Sequence, residues 1–447
     1  FYHDYVLPDK KYDLKKIEYY EKKFDLDIKK LVSNDRFFNH YNNLYKFSKD
    51  EILSIIEKEL TFFESVLDEK PDFFITSETY LRAHHVFSLL CKKLGVKIIM
   101  LNHSNWGNYY FLSENYRLLP NFQKIFQDTE TYETTFSFLQ NRLEKMKISK
   151  KLSKFYENKN SLFERIKAGL NLIFYSDNSV IKTHYTYFGR TKLKIIKSEF
   201  LFVIKKYFRQ KFLDKNFLID FKDEKPFIYF PLQQEPERSL LLSAPDFSDQ
   251  IKNIQLILDN LPDDYVLYVK EHPTQGPGRG WRSLDTYKKL LSFKKLKLIH
   301  PNVDSLELIK NSKLVISISG TTVFEAAFFN KPSLTFAEND FSILPSISKF
   351  DPSLPLKQQI IDSIEKKSNP GQIMKFIDIL ENKSFIFDFF QFEVDYGKAF
   401  YFDSNLVDVE ITEKKMKKFL VDQKEILENL SDQHLIYMQN YFGVEHD

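Results

Sequence analysis

The stretch KLVISISGTTVFEAAFFNKPSLTF, Lys313 to Phe336, decides the fold. KLVISIS is a short apolar run with β-branched residues, and it reads as a buried strand. Gly320 and two threonines break the run. TTVFEAAFFN then spaces its apolar residues as a helix does, Lys331-Pro332 ends it, and PSLTF begins a second strand. Strand, turn, helix and strand in about two dozen residues is a β-α-β unit, so its strands run parallel.

Upstream, the same rhythm repeats. PFIYFPL, YVLYVK and LKLIH read as strands, and DQIKNIQLILDNL, LDTYKKLLSF and DSLELIKNS as the helices between them. This alternation predicts a doubly wound α/β domain. A second β-α-β unit lies nearer the start: strand Asp72 to Thr76, helix YLRAHHVFSLLCKKLG ending at Gly95, and strand VKIIMLN. Residues 10 to 70 read as helices, with a capping box opening at Ser48. The expected division is 1–220 for an N-terminal α/β domain with extra helices, 221–400 for a C-terminal Rossmann-like domain, and 401–447 for a helical extension, with a helix from Glu413 to Asn429.

Composition narrows the function. The 447 residues are 43% hydrophobic and 28% charged, which suits a globular protein with a real core. A net charge of +3 makes the whole chain a poor nucleic-acid binder. One cysteine, Cys91 among leucines, excludes a disulfide framework and a cysteine-built zinc site, and reads as core. No apolar run approaches the roughly 18 residues of a membrane span. The expected location is cytoplasmic, at the inner face of a membrane. The chain begins at Phe1, which leaves room for a preceding segment. From Lys182 to Lys211, nine Lys and Arg stand against Glu199 alone, with aromatics between them. That is either a solvated helix face or a surface for an anionic polymer or anionic lipid headgroups.

Ligands of open parallel sheets bind beyond the C-terminal strand ends, and the polar residues collect there. Gln233 and Gln234 follow the first strand of the repeat. Lys270, Glu271, His272 and Pro273 follow the second, and Asn302 the third. Ser317, Ser319, Gly320, Thr321, Thr322 and Glu325 end the fourth and open its helix. Gly320 permits close approach, and a threonine cap would leave N–H groups for a phosphate. Glu325 could accept bonds from ribose hydroxyls or simply face solvent. Pro273 restricts His272 to extended backbone, from which its imidazole can donate to a phosphate oxygen. The loop Thr274 to Trp281 reads as a mobile rim offering Arg279, with Arg282 just beyond, to an anion. On the N-terminal side Glu78 is the candidate acceptor-activating base, or else a carboxylate stabilising a helix N-terminus. Arg82, Asn102 and His103 share its side of the sheet. The adjacent His84 and His85 point about 100° apart and make a poor metal pair.

YFPLQQEPE, LYVKEHP, LIHPN and ISISGTTVFEAAFFNKPSLTF together resemble the C-terminal half of capsule and surface polysaccharide glycosyltransferases, the Kdo transferases among them. The His-Pro followed by a Ser/Thr-rich turn is also similar to bacterial sialyltransferases. The resemblance runs from about Lys225 to Phe341; the N-terminal EKKFDLDIKKLVSNDR and DEILSIIEKE share it less distinctively. It implies a GT-B fold with two Rossmann-like domains and a cleft, the donor held by the C-terminal one. His272 would touch the donor phosphate, Ser319 to Thr322 the phosphate or nucleotide, and Asn302 the base. It implies no metal and no cofactor beyond a nucleotide-sugar donor, with CMP-activated 2-keto sugar acids favoured, and a glycan or lipid-linked glycan acceptor. Rival readings are a CDP-glycerol or CDP-ribitol phosphotransferase, a UDP-sugar 2-epimerase, and a non-catalytic glycan-binding subunit.

Overall fold

Among the described residues, short apolar runs bounded by Pro, Gly and Asn become ten strands in two sheets. The computed structural model describes residues 10–40, 43–146, 162–176, 185–220, 225–407 and 409–443. β1 (Phe73–Ser77), β2 (Lys97–His103) and β3 (Tyr109–Ser113) belong to the first sheet. β4 (Phe227–Pro231), β5 (Val266–Lys270), β6 (Leu296–Ile299), β7 (Leu314–Ser317), β8 (Ser333–Thr335) and β9 (Ile347–Lys349) form the second. β10 (Phe385–Ile386) returns to the first.

The second sheet is parallel throughout, in the order β6-β5-β4-β7-β8-β9. From β4 the chain winds outward to β6, then crosses back to β7 and winds the other way. The reversal lies between β4 and β7, where a doubly wound sheet opens its crevice. Both faces are covered, since successive strand residues point to opposite sides. Leu267 and Val269 join one buried cluster and Tyr268 another. Every C-terminal strand expected from the sequence is present; β9 is an addition.

The first sheet, in the order β1-β2-β3-β10, is Rossmann-like only in its parallel pair β1 and β2. β3 runs antiparallel to β2, and β10 antiparallel to β3. Cys91 is buried in the helical cluster behind this sheet, and burial pushes its thiol up to about 11. The sheet's other face, with Ile99, Leu101, Tyr110 and Leu112, is covered by Phe387 and Tyr437. Residues from about 385 onward therefore pack with the N-terminal sheet, which differs from the division drawn at 221–400 and 401–447. The Glu413 to Asn429 helix is two helices, Glu413–Asp422 and Lys424–Phe442, meeting at Gln423.

An aromatic core and a long helix join the halves. An aromatic core brings Trp106, Phe111 and Phe122 together with Phe324, Phe328 and Phe376. The long helix Lys192–Asn216 bridges the halves on another side. Lys194 Nζ donates to the Leu44 carbonyl at 3.2 Å, while Leu213 is buried in the C-terminal core. Among the described residues no helix is long and apolar enough to cross a membrane.

Candidate functional site

The crevice forms where β4 and β7 end. Gln233 Nε2 donates to Ser317 Oγ at 3.1 Å, and the Gly320 N–H donates to the same oxygen at 3.1 Å. A Cβ on residue 320 would stand 2.7 Å from the Gln233 amide nitrogen and 2.9 Å from Ser317 Oγ, so glycine leaves both side chains in place. Thr321 takes the cap position of helix Thr322–Ala327, yet its side chain makes no capping bond. Ser319 Oγ is buried without a hydrogen-bond partner. An unpaired buried hydroxyl costs free energy, so a turn that keeps one has capacity for a ligand oxygen. The helix has only six residues, so the turn, rather than a helix dipole, is what this strand end offers.

One strand over, His272 Nδ1 accepts from the Thr274 N–H at 3.3 Å and contacts Thr274 Oγ1 at 2.8 Å. The proton therefore sits on Nε2, which is left to donate. Burial lowers the imidazole pKa to about 4, and the Arg282 and Lys270 charges add to the effect. At neutral pH His272 is an uncharged donor.

Its neighbours have other duties. Glu271 is 1% exposed. It accepts from Arg282 Nε at 2.9 Å, from the Tyr287 hydroxyl at 2.7 Å and from the His272 N–H at 2.8 Å. Of the two readings of Glu271, donor contact or support of the histidine, its bonds fit the second: it is a buried anchor fixing the backbone of His272. Arg282 is consumed by Glu271, Glu235 and the Gln233 carbonyl, so it is no rim residue waiting for an anion. The supposed rim is a short helix, Gln275–Arg279, closed by Gly280 with the Trp281 ring against Gly276. Gln234 is buried, with Nε2 3.5 Å from the Thr274 carbonyl. Lys270 bonds Ser305 Oγ at 2.7 Å; burial pulls its pKa down to about 8, against the raising effect of Asp304 and Glu325. It sits on the opposite face of β5 from Val269, beside Glu325. Pro273 and Asn302 are exposed at the rim.

The N-terminal candidates fare differently. Arg117 Nε and Nη2 donate to the two oxygens of Glu78 at 2.8 and 2.9 Å, and the His103 N–H adds 2.9 Å. Burial alone would raise the Glu78 pKa, but the Arg117 charge and these bonds hold it below the usual carboxylate value. A carboxylate so engaged anchors an arginine and is a poor base. Arg82 lies in the domain core, bonded to Asp35 at 2.7 Å and to Glu59 and Tyr185, and reaches no acceptor. Asn102 is fully buried, spanning the Met100 carbonyl, Ser113 and the Arg117 N–H. His103 Nε2 donates to the Gly107 carbonyl at 3.1 Å, and burial lowers its pKa to about 4.

Between the halves lies a cavity of about 250 Å³, and its lining names residues that the sequence did not. Thr79, Lys92 and Arg117 line one wall; Arg238, Ser319 and Asp340 line the other. Arg238 is buried, donating to the Thr79 carbonyl at 2.9 Å and to Ser243 Oγ at 2.6 Å, with its guanidinium 3.3 Å from the Tyr116 ring centre. Among the described residues no carboxylate bonds it directly, and burial lowers its pKa to about 10. Asp340 receives the Leu119 N–H at 2.9 Å; burial raises its pKa to about 6, with Glu338 assisting. The cavity touches Ser319 but not His272. His84 is exposed, and among the described residues no three His, Cys, Asp or Glu are grouped to hold a metal ion.

Residues 138–344 match the family described as "Capsule polysaccharide biosynthesis protein", a span that includes His272 and Ser317 to Thr322. No curated protein matches. Among solved structures, the chain is similar to the beta Kdo 2,7 transferase of Thermosulfurimonas dismutans KpsC, at 11% identity and a TM-score of 0.31. The match covers 83% of this chain and 97% of that one. It is similar to the beta Kdo 2,4 transferase of the same protein at 8% identity and 0.33, over 68% and 78%. A UDP-GlcNAc 2-epimerase of Methanocaldococcus jannaschii follows at 16% and 0.27, over 76% and 83%. Likenesses this distant carry no argument about substrate.

Proposed function

We propose that this chain, whose residues 138–344 match the capsule polysaccharide biosynthesis family, is a glycosyltransferase moving a sugar from a nucleotide-activated donor to a glycan acceptor. The observation that carries the reading is the switch point. Gln233, Ser317 and Gly320 lock two strand ends together, Ser319 keeps an unpartnered hydroxyl, and the adjacent strand presents a neutral His272 with a free Nε2–H. These groups would bind the donor's phosphate and stabilise the negative charge that grows on it as the glycosidic bond to the sugar breaks.

The favoured donor class is a CMP-activated 2-keto sugar acid. Its support is the neighbouring cavity, where Arg238 is buried against neutral oxygens and Lys92 lies on the facing wall. A carboxylate on the sugar would balance Arg238. Asp340 replaces Glu78 as the candidate base, because it faces the cavity, no arginine engages it, and its pKa of about 6 suits proton abstraction near neutrality.

A thermal-shift panel of CMP, CDP, UDP and GDP tests the nucleotide, since a ligand of the folded state raises its midpoint. CMP is expected to give the largest shift. Release of CMP from a CMP-activated sugar acid then tests the chemistry. Release from CDP-glycerol instead would make the chain a polyol-phosphate transferase. Interconversion of a UDP-sugar without acceptor would make it an epimerase, and silence in all assays a non-catalytic subunit.

A further inference from the structure

Two helices between the halves expose apolar residues on the side that faces away from the protein. In Leu162–Phe174 the exposed residues are Phe163, Ile166, Leu170, Ile173 and Phe174, spaced i, i+3, i+7, i+10 and i+11. In Lys192–Asn216 they include Leu193, Ile196, Phe200, Val203 and Tyr207, spaced i, i+3, i+7, i+10 and i+14. Each set is one helical stripe. The exposure is large: 65% for Phe163, 71% for Phe174, 81% for Leu193 and 66% for Phe200.

The helices cannot turn to hide these stripes, because their other faces are occupied. Ala168 and Leu172 pack on Leu406, with Ile195 against them. Arg209 donates to the carbonyls of Gly280 and Trp281 at 3.1 and 2.8 Å. Arg165 meets Glu199 at 3.3 Å, and Lys192 Nζ reaches the Ile173 carbonyl at 2.8 Å. The helices are thus antiparallel neighbours whose stripes share an outward side.

Charge selects the occupant. Lys192–Asn216 carries eight Lys and Arg against two acids. Lys197, Lys205 and Lys211 are exposed along or beside its stripe. Two such faces would repel each other, which disfavours a second copy of the chain. Aromatic rings flanked by lysines suit the boundary between anionic headgroups and acyl chains.

We propose that this helical pair lays the protein on an anionic phospholipid surface, with the stripes entering the headgroup layer and the lysines meeting lipid phosphates. Lys182, the first residue of the basic segment, lies outside the described residues. The surface is separate from the crevice, so the proposal stands independently of the sugar reading.

Co-sedimentation of the full chain with vesicles tests it. Vesicles of phosphatidylcholine containing about a quarter phosphatidylglycerol are expected to capture the protein, and phosphatidylcholine alone to leave it in solution. Adding salt should weaken capture. A Phe174→Ser, Phe200→Ser, Tyr207→Ser variant should lose at least about tenfold in partitioning with its thermal midpoint kept. Lys197→Gln, Lys205→Gln, Lys211→Gln should lose the preference for anionic lipid. Failure of wild-type protein to sediment with anionic vesicles, or equal capture by both, overturns the proposal. So does a serine variant that converts a dimer to a monomer while keeping vesicle capture, which would make the stripes a contact between copies.

Discussion

The two halves use buried arginine–carboxylate pairs to opposite ends. Beneath the C-terminal crevice, Arg282 and Glu271 satisfy each other and grip the backbone of Gln233 and His272. His272 is thereby fixed with Nδ1 engaged and Nε2 left to donate, and among the described residues the Ser319 hydroxyl of the neighbouring turn has no partner. On the N-terminal side the pairs absorb the candidates themselves, Glu78 into Arg117 and Arg82 into Asp35 and Glu59. A polar residue past a strand end is therefore a ligand contact only when its neighbours leave it one. Removing either kind of residue should separate the two cases.

The largest expected effect on stability is in the N-terminal core. Arg82→Met leaves Asp35 and Glu59 buried without their partner, and should cost about 3–5 kcal/mol in denaturant unfolding. A loss under about 1 kcal/mol would break the comparison by showing that those acids do not depend on Arg82. Next, His272→Ala should lower turnover about a hundred- to ten-thousandfold while barely moving the thermal midpoint. A midpoint drop as large as that of Glu271→Gln would return His272 to the structural group.

Asp340 and Glu78 are then compared by pH. Asp340 must be ionised to act as a base, so kcat/KM should rise as pH climbs through about 6. Asp340→Asn should flatten that limb, and Glu78→Gln should leave its position unchanged while lowering stability. Retention of the limb in Asp340→Asn would remove Asp340 from the chemistry. Acid stability supplies a further check. His85, His103 and His272 have folded-state values near 4, below the ordinary 6.5. Between those values the unfolded chain binds more protons, so stability falls as pH drops from 6.5 towards 4. Thermal midpoints across that window check the sign. Asp340, shifted upward, opposes the trend; His272→Ala, which removes one of the depressed histidines, should reduce the slope.

The C-terminal sheet was legible because each strand is an unbroken apolar run between turn residues, a signal that lies within a few positions. Its crevice was legible for the same reason. Partnerships across the fold leave no such trace. Arg117 reaches Glu78 across 39 positions, and Arg238 reaches Thr79 across 159. No periodicity links them, so Glu78, Arg82 and Asn102 read as site residues and Arg117 and Arg238 went unnoticed. Asp340 could have been found. It follows β8, and extending the strand-end rule one strand beyond β7 leads to Asn339 and Asp340. β10 could not, because two residues make no pattern.

The late return of the chain to its first sheet has a bearing on synthesis. Ile99, Leu101, Tyr110 and Leu112 leave the ribosome long before Phe387 and Tyr437, which cover them. Domains usually fold as they emerge, at roughly 5–20 residues per second. Here the N-terminal half must carry one apolar sheet face through the making of the entire C-terminal half. For that interval, tens of seconds at the slower end of that range, the nascent chain is a client for whatever shields sticky surfaces in its cell.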